Sequence, residues 1–280
     1  MNEQYLGDSR DFVKYDFLLH LARSLNLSDG VTIIPMLTPP RGRKPHPGYG
    51  AGTRDQGLYT LLHSIASSLD LTYGQASQKI VSFFSEQGIP CRFVPDGELR
   101  PSYRNEYFSR VPQDTLRDSI VFIDPDTGLQ GASRPSDAHL GQAEIEQIFA
   151  RMSDNSVLVV YQHQHQFRSM HETIRSVRRG LYHGTSIRHF AYIWDGQVAL
   201  FVTTRWPDRL ESIYGEMKQY AGRVGCHHDK ADLCADDEAP GDRRDGEQVP
   251  GRPPCLCGCG GYPKGKKSRY LPGHDARRAR

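Results

Sequence analysis

Residues 156–161 (SVLVVY) constrain the fold more than any other stretch of this 280-residue chain. The run lacks the polar alternation of a half-solvated strand, and it is far shorter than the roughly 18 residues a membrane helix needs. It reads as a strand covered on both faces. The covering layers are legible around it. Residues 8–24 carry an apolar stripe (Phe12, Tyr15, Leu18, Leu19, Leu21) at helical spacing, with Asp8 suited to the N-cap. Residues 31–37 (VTIIPML) predict a second buried strand, ending at Thr38-Pro39-Pro40. Helices are predicted over 55–69 and 73–87, a short strand over 91–94, and a strand that stops at Asp124 within 116–124 (LRDSIVFID). A helix over 144–152, a basic helix over 170–180 and a closing helix over 208–220 follow. The β-rich runs 187–194 and 197–203 flank Asp195-Gly196, a hairpin-turn dipeptide.

Alternating strands and helices predict an α/β fold: a Rossmann-like, mostly parallel sheet with helices on both faces and a C-terminal β-hairpin. The polar, acid-bearing opening MNEQYLGDSRD reads as neither a signal nor a transit peptide, and no apolar run is long enough to span a bilayer. A cytoplasmic protein is expected.

The net charge of +2, from 35 Lys+Arg against 33 Asp+Glu, hides an asymmetry. Residues 226–250 hold eight acids and three Lys/Arg, whereas 251–280 hold eight Lys/Arg and one acid, Asp275. The body is therefore expected over 1–222, an acidic flexible linker over 223–250 and a small basic module over 251–280. Five of the six cysteines fall in the last 55 residues, which in a reducing compartment points to metal before disulfides. Cys255, Cys257, Cys259 and His274 make a tetrahedral set for structural Zn²⁺, and metal binding would supply the module's folding energy. Lys264, Lys266, Lys267 and Arg269 then form a cationic surface for phosphates. The plainer alternative is a disordered basic tail with incidental cysteines. Cys226, His227, His228 and Cys234 are a weaker second metal set.

In a parallel sheet the ligand crevice lies beyond the C-terminal strand ends. That rule selects three segments. Arg41, Arg43 and Lys44 follow the first strand and suit phosphate contacts. Asp124-Pro125-Asp126-Thr127-Gly128 follows a central strand, where a carboxylate can activate water, bind a metal or accept from a base amino group. An Asp-Pro turn is the structural alternative. Tyr161-Gln162-His163-Gln164-His165-Gln166-Phe167 follows the next strand. His163 and His165 could steady a leaving base, and Tyr15, Tyr161 or Phe167 could stack on one. A polar surface loop is the alternative. Near the N-terminus Asp8, Asp11 and Lys14 share one helix face, as a carboxylate–ammonium cluster or as a cap plus a solvated ion pair.

The segments YLGDSRDFVKYDFLLHLA, FIDPDTGL and SVLVVYQH together resemble a bacterial family with a Y-[FL]-G-D-x-x-D-[FY]-x-K-Y-x-L-L opening, a central F-[IL]-D-P-D-x-G-L and a later V-V-Y-x-H. The resemblance covers scattered motifs across about residues 5–205, and a role in phage defence is compatible with it. The tail resembles a small cysteine-rich module ending in F/Y-x-P-G-H-D-A-R. A fainter similarity is to rRNA adenine methyltransferases, through Gly7, Asp8, Asp11 and Lys14 and then Asp124-Pro125-Asp126. It implies a methyltransferase-like sheet, with Asp126 standing where those enzymes carry a second proline.

Three classes of function follow. The first is a DNA-acting hydrolase. In its base-excising form, whose logic resembles that of uracil-DNA glycosylases, Asp124 or Asp126 activates water and His163 or His165 stabilises the departing base of a flipped nucleotide. In its nuclease form, Asp8, Asp11, Asp124 and Asp126 hold Mg²⁺. The second is an S-adenosylmethionine-dependent nucleic-acid methyltransferase. The third is a non-catalytic DNA-binding protein. DNA, double-stranded or locally unpaired, is the expected partner throughout.

Overall fold

The computed structural model describes residues 6–38, 52–68, 70–130, 139–163, 169–196 and 198–232. The chain divides into two units after Asp237, and all described residues belong to the first. The order of elements is α1 (Ser9–Leu25), β1 (Val31–Pro35), α2 (Gln56–Ser67), α3 (Tyr73–Glu86), β2 (Cys91–Phe93), α4 (Arg104–Ser109), β3 (Ile120–Asp124), β4 (Gly128–Leu129), β5 (His139–Leu140), α5 (Gln142–Phe149), β6 (Val157–His163), α6 (Met170–Gly184), β7 (His189–Trp194), β8 (Val198–Thr203), α7 (Pro207–Val224) and β9 (His227–Asp232).

Caps explain where the helices start. The Asp8 carboxylate accepts from the Arg10 and Asp11 amides ahead of α1, and Asn26 ends that helix in the left-handed region. Thr72 with Gln75, and Ser169 with Glu172, form capping boxes at α3 and α6.

Among the described residues a seven-stranded sheet runs in the order β2-β1-β3-β6-β8-β7-β9. β2, β1, β3 and β6 are mutually parallel, while β8, β7 and β9 pair antiparallel with their neighbours. This is the Rossmann-like α/β arrangement the alternation implied. Side chains alternate between two apolar cores. Ile120 and Phe122 of β3 and Val157, Val159 and Tyr161 of β6 pack with α1, α2, α3 and α7; Val121, Ile123, Leu158 and Val160 pack with α4, α5 and α6. No described helix is long and apolar enough to cross a membrane.

Two details differ from expectation. The hairpin does not close the sheet as its edge: its second arm, β8, lies against β6, so β7 has room for a further partner. That partner is β9, within the segment expected as linker from residue 223, and α7 itself runs on to Val224. His227–Asp232 has no apolar period, but an edge strand is held by backbone pairing. Here the pairing runs from His189↔Asp232 to Trp194↔His227, with His227 stacked on Trp194 at 5.1 Å.

Candidate active site

Asp124 is the last residue of β3, beside Pro35 of β1, and its side chain lies on the α1 face of the sheet. It has no solvent exposure. Lys14, one helical turn beyond Asp11, spans the gap. Its Nζ donates to Asp124 Oδ1 at 2.9 Å and Oδ2 at 3.0 Å, and to Asp11 Oδ1 at 2.9 Å. It also lies 4.0 Å from the centroid of the Tyr161 ring. Asp11 Oδ2 accepts from the Gly7 amide at 2.8 Å. Gly7 adopts φ +96°, and a Cβ there would meet the Leu62 carbonyl at 2.6 Å, so only glycine lets the chain turn back onto Asp11.

Two carboxylates thus share one ammonium away from water, leaving one negative charge in excess. Burial is the main reason that the Asp11 carboxyl is pushed up to about 7, with Asp8 and Asp124 adding to the effect against the pull of Lys14. Burial works against the Lys14 ammonium, but Asp11 and Asp124 outweigh it and hold the group well above its ordinary value. Tyr15, Tyr73 and Tyr161 surround the cluster, and burial raises all three phenols. Among the described residues the buried hydroxyls of Tyr15 and Tyr73 have no hydrogen-bond partner.

The rim of the site is built by the loop after β3. His163 N donates to Thr127 O at 3.3 Å, and Gln162 Oε1 accepts from Leu129 N at 2.8 Å. Gln162 Nε2 donates to the His163 carbonyl at 2.8 Å. Gly128 has φ +115°, and a Cβ on it would collide with Gln162 Oε1 at 2.5 Å. Gln162 is therefore a brace that presses the loop onto the end of β6, and it is not free to read a base. Asp126 and His163, both half-buried, stand on this rim.

The predicted residues separate into groups. Asp11, Lys14, Tyr15, Asp124 and Tyr161 come together in the buried cluster, while Asp126 and His163 stand on two segments that the His163–Thr127 backbone bond joins. Asp8 is the helix cap, as the structural alternative held, but the ion pair beneath it is buried, not solvated. Two assignments are corrected. Tyr15 and Tyr161 have no ring face open to a base: Tyr15 is fully buried and Lys14 covers Tyr161. Asp124 is closed to water, with both oxygens occupied by Lys14, so it cannot serve as the water-activating carboxylate.

His227 and His228 are successive strand residues and point to opposite faces, one onto Trp194 and the other to the Tyr214 hydroxyl at 3.1 Å. They do not converge on one ion. No group of three or more His, Cys, Asp or Glu that could hold a metal occurs among the described residues. His165, Phe167, Arg41, Arg43, Lys44, Cys234, Lys264, Lys266, Lys267, Arg269, Cys255, Cys257, Cys259 and His274 lie outside the described residues. The sequence offers Gln162 only within the Gln/His run whose amides could read base edges, not as a brace, and Tyr73 only as the start of a predicted helix.

No protein-family model matches the chain, and no curated protein matches it.

Proposed function

We propose that this chain is a DNA-acting hydrolase of the base-excising type, with its reacting groups on the rim above the Asp11–Lys14–Asp124 cluster. The observation that carries the reading is the backbone bond from His163 to Thr127. It joins the acid-bearing loop of one strand to the imidazole at the end of the next, where a parallel sheet presents its ligands. With Asp124 engaged by Lys14, the water-activating role passes to Asp126. Asp126 takes a proton from water as the water oxygen bonds to the sugar C1′. The C1′–N bond breaks, and its electron pair leaves with the base, which His163 protonates. The products are a free base and an abasic strand.

The test is incubation with plain and modified DNA, with and without Mg²⁺ or EDTA, followed by alkali. Alkali-dependent breaks are expected, and Asp126→Asn should lower their rate by about 10²–10⁴-fold. Direct breaks that need Mg²⁺ would replace this reading with a nuclease. The nuclease form is the less favoured because Lys14 already occupies the space between Asp11 and Asp124 that a bridging cation would take.

One observation favours a second reading, methylation by an S-adenosylmethionine-dependent enzyme. The two segments that carry the methyltransferase resemblance, Gly7 to Lys14 and Asp124-Pro125, are in direct contact although 110 residues separate Lys14 from Asp124. Calorimetric binding of S-adenosylmethionine would promote it. If DNA is bound and never altered, the non-catalytic class remains.

We propose a cytoplasmic location, a reducing compartment in which cysteines clustered as at 255, 257 and 259 favour metal over disulfides. The tail module is proposed to hold one structural Zn²⁺ through Cys255, Cys257, Cys259 and His274. Metal analysis should find about one zinc per chain, lost in Cys257→Ser.

A further inference from the structure

One surface of the described unit differs from the rest in charge. α6 buries Met170, Thr173, Ile174, Val177 and Leu181 against the core, and its opposite face carries His171, Arg175, Arg179 and His183, with Arg178 half-buried at the margin. The only acid on the helix is Glu172, and its carboxylate is engaged at the cap, accepting from the Ser169 amide at 2.6 Å and hydroxyl at 2.8 Å. Arg175 and Arg179 make no ion pair among the described residues. Beyond the helix Arg188 lies over the Tyr182 ring at 5.4 Å, extending the cationic face. α7 and α3 mix their signs, with Asp208, Glu211 and Glu216 beside Arg209, Lys218 and Arg223 in α7 and both Lys79 and Glu86 in α3, and α5 carries only acids, Glu144 and Glu146. A face of one sign is costly in self-repulsion unless something anionic lies on it.

The helix also starts at the right place. It follows β6 after a short segment beyond His163, and His171 meets Trp194, the last residue of β7, edge to face at 5.9 Å. β7 runs in the same direction as β6, so this contact sets the first turn of α6 at the strand-end edge of the sheet, the edge that carries Asp126 and His163. From there its 15 residues run about 22 Å down the flank.

We infer that the outer face of α6, through Arg175 and Arg179, is the track on which the sugar-phosphate backbone of a nucleic acid lies beside the strand-end site. Guanidinium groups without acid partners, as at Arg175 and Arg179, suit phosphate oxygens. An anionic membrane fits less well, because a surface-binding helix needs exposed apolar side chains and α6 buries its own; Tyr103 and Trp206, the exposed large hydrophobics among the described residues, lie on other elements. The inference takes its ligand class from the function proposed above, but it does not depend on the chemistry performed.

The experiment uses the full chain, a fluorescent DNA duplex read by anisotropy at several salt concentrations, and the alkali assay in parallel. Arg175→Gln with Arg179→Gln should weaken binding by about tenfold or more at moderate salt. It should also flatten the slope of log affinity against log salt by about 1.8, or about 0.9 for each phosphate no longer neutralised. The unfolding midpoint should stay unchanged. Lys79→Gln with Lys218→Gln removes the same charge from the other face of the sheet and should leave affinity and slope as they were. Equal effects of the two pairs, or no effect of the first, would overturn the track while leaving the catalytic reading untouched. An altered slope with no abasic product would support the track and remove the hydrolase. Wild-type protein that ignores DNA but collects on phosphatidylserine vesicles through Arg175 and Arg179 would overturn both.

Discussion

The Lys14 ammonium answers two buried carboxylates, and the consequences of removing each partner differ in sign. Lys14→Met leaves Asp11 and Asp124 without a counter-charge in the interior, and such a change costs about 3–5 kcal/mol. Urea denaturation should show that loss as a lower midpoint. Asp11→Asn keeps an oxygen for the Gly7 amide and removes the surplus charge. The folded-state pKa of Asp11 is about 7 and its ordinary value 3.8, so the folded protein holds a proton that the unfolded chain releases between those values. The stability this contributes is complete below about pH 4 and is lost as pH rises through 7. Wild-type stability should therefore fall relative to Asp11→Asn between pH 5 and pH 8, in parallel denaturation series. A constant difference across that window would show that Asp11 is ionised throughout. Sequence spacing was enough to bring Asp11 and Lys14 to one helix face, and a strand end was enough to mark Asp124. The sequence also groups Asp11 with Asp124, as Mg²⁺ ligands and through the methyltransferase resemblance, but that Lys14 fills the space between them was not legible, because a pairing across 110 residues depends on how α1 crosses the sheet and leaves no local periodicity. The inward turn of Tyr15 was hidden for a related reason: an aromatic on an amphipathic stripe looks the same whether its hydroxyl reaches solvent or is buried without a partner.

At the level of elements, most strands and helices of the α/β body were readable through burial period or capping chemistry, whereas the short α4, β4 and β5 were not. Asp8, Thr72 and Ser169 all stand where caps were required. β9 was not readable. It is polar throughout, and its stability comes from the edge that β7 offers, a property of the sheet and not of residues 227–232. The loop between β3 and β4 is the element on which the rim depends. Gly128→Ala would combine an unfavourable φ with a collision against Gln162 and should cost about 1–3 kcal/mol, seen as a lowered unfolding midpoint. Adding Gln162→Ala should recover the part due to collision, so the two changes should be non-additive. If Gly128→Ala is as stable as wild type, the loop is not braced as described.

For the whole molecule, charge is divided between a near-neutral body and a tail with eight Lys/Arg against one acid over residues 251–280. A tethered cationic module raises the local concentration of its polyanion. Deleting 251–280 should weaken DNA binding and flatten its salt dependence while leaving the unfolding transition of the body in place. Unchanged affinity at two salt concentrations would refute that division of labour. The body itself is tied end to end. Asp16, in the first helix, accepts from the Tyr220 hydroxyl of the last at 2.8 Å, across 204 residues, and also from the Asp55 amide at 2.8 Å. On the ribosome α1 is made well before α7, so Asp16 cannot complete these contacts until Tyr220 has emerged. Until then the helix that supplies Lys14 lacks the hydroxyl that answers its buried Asp16 carboxylate.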